Sequence, residues 1–144
     1  MTDSNNKPDL LKEYPVVVAH TVDWSEMDAF KHVNNAVYFR YFENARIAYF
    51  MQINAFELFD QENIWPVLAE TQCRFKIPLI FPDELLIGAR IGEQQHDALI
   101  MQYAVYSKKA NKIAAEGEAL VKWVDKTSGK KTVFPAALHK ILLK

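Results

Sequence analysis

Cysteine is nearly absent: Cys73 is the sole one among 144 residues. An internal disulfide is therefore excluded, and no cysteine cluster suggests zinc. A reducing compartment fits that usage. An excess of either charge is missing too. The formal net charge is −1 and the basic residues are dispersed, which argues against nucleic acid as a partner. No apolar run approaches the roughly 18 residues that a membrane span needs. Residues 1–12 are polar or acidic at Asp3, Asn5, Asn6 and Asp9 and lack the basic-then-apolar pattern of a secretory leader. The expectation is a cytoplasmic protein with a flexible N-terminal tail over 1–12 and a single domain over 13–144. No linker, repeat or low-complexity stretch divides that domain. Half of the chain is hydrophobic, enough to bury a core without metals or disulfides.

What is present is a pattern that changes period once and changes back. From Val16 to Trp24 residues alternate, with Val16, Val18, His20, Val22 and Trp24 on one face of a strand. A turn-like stretch runs from Ser25 to Val33. The spacing then predicts a helix over Asn35–Asn54, which contains no Gly or Pro. Tyr38, Tyr41, Phe42, Ala45, Ala48 and Tyr49 share its main apolar face, while Phe39 and Phe50 lie off that stripe. A helix so apolar around its circumference is enclosed. Asn34 or Asn35 is the expected N-cap. A short helical piece over Ala55–Gln61 follows.

Four alternating stretches come next, over Val67–Ile77, Glu84–Glu93, Ala98–Lys108 and Lys112–Asp125. The short polar breaks between them indicate antiparallel hairpins. Thr127–Lys130 reads as a turn, and Pro135–Leu143 as a closing helix. The expected class is α+β: a five-stranded antiparallel sheet around one long helix. One sheet face cannot cover such a helix completely, so a second copy of the chain is the expected partner.

The chemistry concentrates in Glu26-Met27-Asp28-Ala29-Phe30-Lys31-His32-Val33-Asn34-Asn35. A carboxylate stands shortly before a helix start, where backbone N–H groups are unpaired and a partial positive charge gathers. Those groups can bind an oxyanion developing on a carbonyl. A nearby carboxylate can activate water or attack the carbonyl itself. On the residues alone, simple capping by Asp28 usually explains such a pattern, and it is the favoured reading at that point.

The segment resembles the active-site signature of the 4-hydroxybenzoyl-CoA thioesterase family within the hotdog superfamily. That pattern is read in Glu26-Met27-Asp28, His32-Val33-Asn34-Asn35, Tyr38 and Glu43-Asn44-Ala45-Arg46. Phe75-Lys76-Ile77-Pro78-Leu79, Asp83-Glu84-Leu85 and Ala115-Glu116-Gly117-Glu118-Ala119 are similar to the family as well. The likeness covers roughly residues 16 to 143. It implies a hotdog fold, Asp28 as general base or nucleophile, and the backbone N–H of Asn35 as the group that polarises a thioester carbonyl. It also implies sites at a dimer interface, with dimers pairing into tetramers in several members. Three positions depart from the pattern. Lys31 stands where many members carry Gly, which predicts a differently shaped loop; Glu26 stands where many carry Asp; and Asn35 stands where some carry His.

Other residues have two readings each. His32 either orients the loop or shuttles a proton, or it is a loop histidine bonded to backbone. Asn34 caps. Tyr38 supports the site or belongs to the core, and Glu43 either lines the pocket or pairs with Arg40 and Arg46. Arg74, Lys76, Lys108 and Lys109 meet coenzyme A phosphates or simply wet a sheet face. Cys73 is a small buried hydrophobe. The expected function is acyl-CoA thioester hydrolysis with no metal or bound cofactor. The rivals are a thioesterase for acyl carrier protein and a non-catalytic acyl-CoA-binding module.

Overall fold

The computed structural model describes residues 7–143. Strand β1 (Val16–Thr21) is followed by helices α1 (Val37–Gln52) and α2 (Ala55–Glu62). Strands β2 (Ile64–Phe75), β3 (Glu84–Gln94), β4 (Ala98–Ser107), β5 (Lys112–Asp125) and β6 (Lys131–Thr132) come next, then α3 (Ala136–Ile141). All pairings are antiparallel, in the order β1-β3-β4-β5-β2, and the two-residue β6 adds to β5 beyond the end of β4. The expected α+β sheet and long helix are therefore present, with one short strand more than expected.

The inner face of the sheet carries Leu85, Ile87, Ala89, Met101, Tyr103, Val105, Ala115, Ala119, Val121 and Trp123. Against it α1 buries Tyr38, Tyr41, Phe42, Ala45, Tyr49 and Phe50. Each large side chain among them contributes about 1.5–3 kcal/mol by leaving water, and each alanine less, so this layer dominates stability. Gly117 permits the close approach. A Cβ there would collide with the Phe42 ring and lie 2.7 Å from the Gln72 carbonyl oxygen.

Several sequence boundaries shift. The helix begins two residues later and ends two earlier than its apolar pattern, because Asn34 and Asn35 close turns ahead of it. The first strand stops at Thr21, and Trp24–Glu26 forms a 3-10 turn instead of extending it. The stretch after α2 does not hairpin with β3. It pairs with β5 at the opposite edge of the sheet from β1, and residues 76–83 carry the chain across. A bulge between Leu68 and Glu70 inverts its alternation, so Val67 lies on the face opposite Thr71, Cys73 and Phe75. Pro66 is tolerated because β2 is an edge strand.

Part of the supposed tail belongs to the folded body. Met1–Asn6 lie outside the described residues. Asp9–Leu11 form a 3-10 turn, and Leu11 is fully buried with Tyr14, Val17, Leu86, Ala104 and Tyr106. This small second core covers the outer sheet face over β1, β3 and β4. The polar composition around Leu11 concealed it.

Candidate active site

The loop between β1 and α1 is a miniature hairpin. It opens on a capping box: Asp23 Oδ1 accepts the Ser25 N–H at 2.8 Å, and Glu26 Oε1 accepts the Asp23 N–H at 2.8 Å. Met27 then bridges Val33. The Asp28 N–H donates to the His32 carbonyl at 2.8 Å, and the Lys31 N–H donates to the Asp28 carbonyl at 3.0 Å. Lys31 adopts φ 65°, the left-handed conformation that favours glycine. The loop expected to change shape with lysine thus keeps a glycine-type turn, at a strain of about 1–2 kcal/mol.

Asp28 is half-buried at this turn. Its Oδ1 accepts the Phe30 N–H at 2.9 Å and the His32 N–H at 3.4 Å. Its Oδ2 has no protein partner among the described residues. The carboxylate opens onto a hollow of about 520 Å³ lined by Asp28, Phe30, His32, Val33, Asn35, Tyr38 and the segment Phe75–Pro78.

The helix start spends its N–H groups unevenly. The Asn34 N–H donates to the Glu26 carbonyl at 2.9 Å, and the Ala36 N–H to the Asn34 side chain at 2.9 Å. The Val37 N–H goes to the Asn34 carbonyl and the Tyr38 N–H to the Asn35 carbonyl. The Asn35 N–H is left without an acceptor among the described residues, and Asn35 lines the same hollow. Neither asparagine caps α1 one turn in, as expected from sequence: Asn34 closes a two-residue turn, and Ala36 precedes the helix without a side-chain cap.

The remaining sequence candidates divide. His32 is tied to Asp28 through both backbone groups and is among the residues that line the hollow. Tyr38 is buried edge-on to Phe75, with ring centroids 4.9 Å apart. Burial pushes its phenol up to about 12, so at neutral pH it keeps its proton and is able to donate. Glu43 stands outside this hollow. It pairs with Arg40 at 2.6 Å and lines two smaller grooves between α1 and β2.

Of the four cations, Lys76 alone lines the hollow. Lys76 and Arg74 both engage Glu116, at 2.5 and 3.4 Å. The hydrogen bond from Lys76, helped by Arg74, holds the Glu116 carboxyl below its usual range. Lys108 pairs with Glu84 at 3.4 Å, and Lys109 Nζ donates to the Pro82 carbonyl at 3.4 Å, both away from the hollow. Burial raises the Cys73 thiol to about 11, which suits an inert filler. Sequence reasoning missed Phe30, Ile77 and Pro78 as walls. Local pattern gives no sign that residues near 30 and near 77 meet.

Among the described residues no group of His, Cys, Asp and Glu is arranged to hold a metal ion. None of the helices among them is long and apolar enough to cross a membrane.

A curled antiparallel sheet packed on one long helix, with an acidic loop at the helix start, defines a protein of the hotdog class. Residues 22–142 match the thioesterase-like superfamily, and the chain belongs to that family. It is similar to the uncharacterised protein YsmA of Bacillus subtilis, 31% identical over 83 residues, which are 58% of this chain and 55% of that protein. It thus spans about half the length of the curated relative it matches. A thioesterase from Thermus thermophilus, solved with coenzyme A and Zn, is 28% identical with a TM-score of 0.76, covering 90% of this chain and 92% of that one. The probable thioesterase YbaW of Escherichia coli shares 19% identity at a TM-score of 0.80, covering 87% and 94%. The DHNA-CoA thioesterase of Staphylococcus aureus shares 13% at 0.78, covering 88% and 87%. These last two likenesses are of fold.

Proposed function

We propose that this protein hydrolyses acyl-CoA thioesters in the cytoplasm, with Asp28 and the Asn35 N–H as its catalytic groups. One observation supports the reading above others. The Asn35 N–H without an acceptor and the Asp28 Oδ2 without a partner belong to residues that line one hollow, walled by Phe30, Tyr38, Phe75 and Ile77. A thioester needs that combination of an oxyanion donor, a basic oxygen and an apolar wall.

In the proposed reaction the acyl carbonyl oxygen accepts the Asn35 hydrogen bond. Asp28 takes a proton from water as the oxygen of that water bonds to the carbonyl carbon. The negative charge gathers on the oxygen held by Asn35. The C–S bond then breaks, the coenzyme A thiolate recovers the proton, and the free acid remains. The nucleophilic variant of the mechanism has Asp28 attack first and water cleave the resulting anhydride. Coenzyme A enters as part of the substrate, and no resident cofactor or metal takes part in this scheme. Lys76 is the cation best placed for the coenzyme A end, since it lines the hollow.

The carrier-protein reading is the weaker one. An acidic carrier needs free cations around the mouth, yet Lys76 and Arg74 are engaged by Glu116 and Lys108 by Glu84. A second copy of the chain completes the picture. The open edge β2 exposes Trp65, Val67, Leu68 and Phe75, beside Phe39 and Ile47 of α1. An edge with that much apolar surface calls for cover, and a dimer, itself able to pair, supplies it.

The test is a thiol-release assay over a panel of acyl-CoAs. Wild type should turn over at least one class, and Asp28→Asn should lose at least two orders of magnitude in kcat, about 2.7 kcal/mol of barrier. Ligand binding without thiol release, unchanged by Asp28→Ala, would instead establish the binding-module reading. After one turnover in ¹⁸O-water, label in the Asp28 carboxyl establishes the nucleophilic route, with water attacking the aspartyl carbonyl of the anhydride.

A further inference from the structure

The loop that carries Asp28 has little packing of its own. Phe30 is 82% exposed, and Ala29 and Lys31 are exposed beside it. Its base is held against the core by Met27 and the buried Val33, and its polar attachments converge on Glu26. The Glu26 side chain is nearly buried, at 15% exposure. Its carboxylate accepts the Asp23 N–H at 2.8 Å and the Tyr41 hydroxyl at 3.1 Å. It also meets His20 Nε2 at 3.0 and 3.1 Å. Its backbone carbonyl takes the Asn34 N–H, one residue before the unspent N–H of Asn35. A single residue therefore joins β1 through His20, α1 through Tyr41, and both ends of the loop.

We infer that Glu26 is a positioning residue whose charged carboxylate, held between His20 and Tyr41, sets the Asp28 oxygen and the Asn35 N–H in mutual register. The inference rests on the thioesterase reading for its kinetic part and stands apart from it for its structural part. The charge matters because three donors point at one group. A carboxylate accepts all three: Asp23 and Tyr41 both donate to Oε1 while His20 spans Oε1 and Oε2, so an amide that keeps its oxygen on the Tyr41 side turns its NH₂ toward His20 with the wrong polarity. Tyr41 is fully buried, and burial followed by the Glu26 charge raises its phenol far above the ordinary value, so it keeps the proton that it donates to Glu26. The neighbours from each packed element are then His20 on β1, Tyr41 on α1 and Asp23 on the preceding turn, with Asp83 a further acidic group near Tyr41. A misplacement of about 1 Å between base and oxyanion donor is enough to lower turnover by orders of magnitude while leaving substrate binding largely intact.

Space-filling and charge make opposite demands here, which gives the test its edge. Glu26→Gln preserves shape and removes charge; Glu26→Asp preserves charge and shortens the arm. A packing role ranks Gln above Asp, and the anchoring role ranks Asp above Gln. The expected result is that Glu26→Gln loses about tenfold or more in kcat with KM changed by less than about threefold, while Glu26→Asp keeps kcat within about threefold of wild type. Amide hydrogen exchange supplies a readout free of any substrate. In Glu26→Gln the Asp28, Val33 and Asn34 amides should exchange about tenfold faster or more, with β4 unchanged. Tyr41→Phe, which deletes one donor, should produce a smaller change of the same kind and covers the case in which the Gln variant fails to fold. Full turnover and unaltered loop protection in Glu26→Gln and Tyr41→Phe, or Gln outperforming Asp, overturns the inference. A wild type that releases no thiol defeats the functional proposal alone, because the exchange comparison still decides the anchoring role.

Discussion

The rings of Phe42 on α1 and Tyr103 on β4 lie stacked, with centroids 4.9 Å apart and planes 11° from parallel. That stack brings the helix close to the sheet, and Gly117 on β5 is the position that allows it. The Tyr103 hydroxyl in turn accepts from Arg46 at 3.1 Å, which ties the pair to the next turn of the helix. Gly117→Ala forces either the Phe42 ring or the Gln72 backbone to move. The variant should lose about 1–3 kcal/mol, the usual penalty of overpacking, and its thermal midpoint should fall by several degrees. A midpoint equal to wild type in calorimetry would contradict the packing described.

Lys31 sits at φ 65° without a glycine's freedom. Lys31→Gly removes the left-handed strain but enlarges the unfolded ensemble, so the net change should lie between zero and about 1 kcal/mol of stabilisation. Lys31→Val, whose branched side chain tolerates that conformation least, should be destabilised by at least about 1 kcal/mol. Urea midpoints of the pair decide the matter, and a Val variant as stable as the Gly variant counts against the turn.

Asn35 separates backbone from side chain. If its N–H holds the carbonyl oxygen, Asn35→Ala should keep kcat within about fivefold, since the amide remains. Asn35→Pro deletes the N–H at a position ahead of the helix where proline is tolerated, and should lower kcat by about two orders of magnitude. Steady-state kinetics on both, with melting curves to verify folding, checks this. Equal activity in the two variants would remove Asn35 from the mechanism.

The Lys76–Glu116–Arg74 cluster carries a pH signature. The Glu116 carboxyl is depressed from its ordinary 4.5 in the folded protein. Its contribution is therefore present above the unfolded value and disappears as pH falls through the folded one. The stability gap between wild type and Glu116→Gln should be open at pH 7 and close as pH drops below about 4.5. Denaturant titrations across that range measure it, and a gap independent of pH would show that the cluster is electrostatically idle. The pairs are largely solvent-exposed, so the effect should also weaken in salt.

The period change that marks α1 was readable because a buried helix needs apolar residues on most of its circumference, and Tyr38 through Phe50 supply them. The strands from Glu84 to Asp125 were readable for the matching reason of alternation. The second edge strand was harder. Its bulge near Ala69 inverts the pattern midway, and an unpartnered edge has no burial to enforce one face. Asp28, His32 and Asn35 were legible as a group because all three fall within one turn and its neighbouring helix start. For Glu43, Arg74, Lys108 and Lys109 the residues left two readings open, since charge type and spacing do not say which side of a fold a side chain reaches.

Sequence alone determined the ordering of elements, the helix at the centre and the acidic turn before it, because periodicity and turn chemistry act over a few residues. Tertiary structure decided that Phe75–Pro78 would wall the hollow beside Asp28, that Lys76 would meet Glu116, and that Glu26 would join His20 to Tyr41. Those contacts unite residues up to some tens of positions apart. Their geometry is set by how far the helix can sink onto the sheet, a distance fixed by the packing of Phe42, Tyr103 and Gly117 together and by none of them singly.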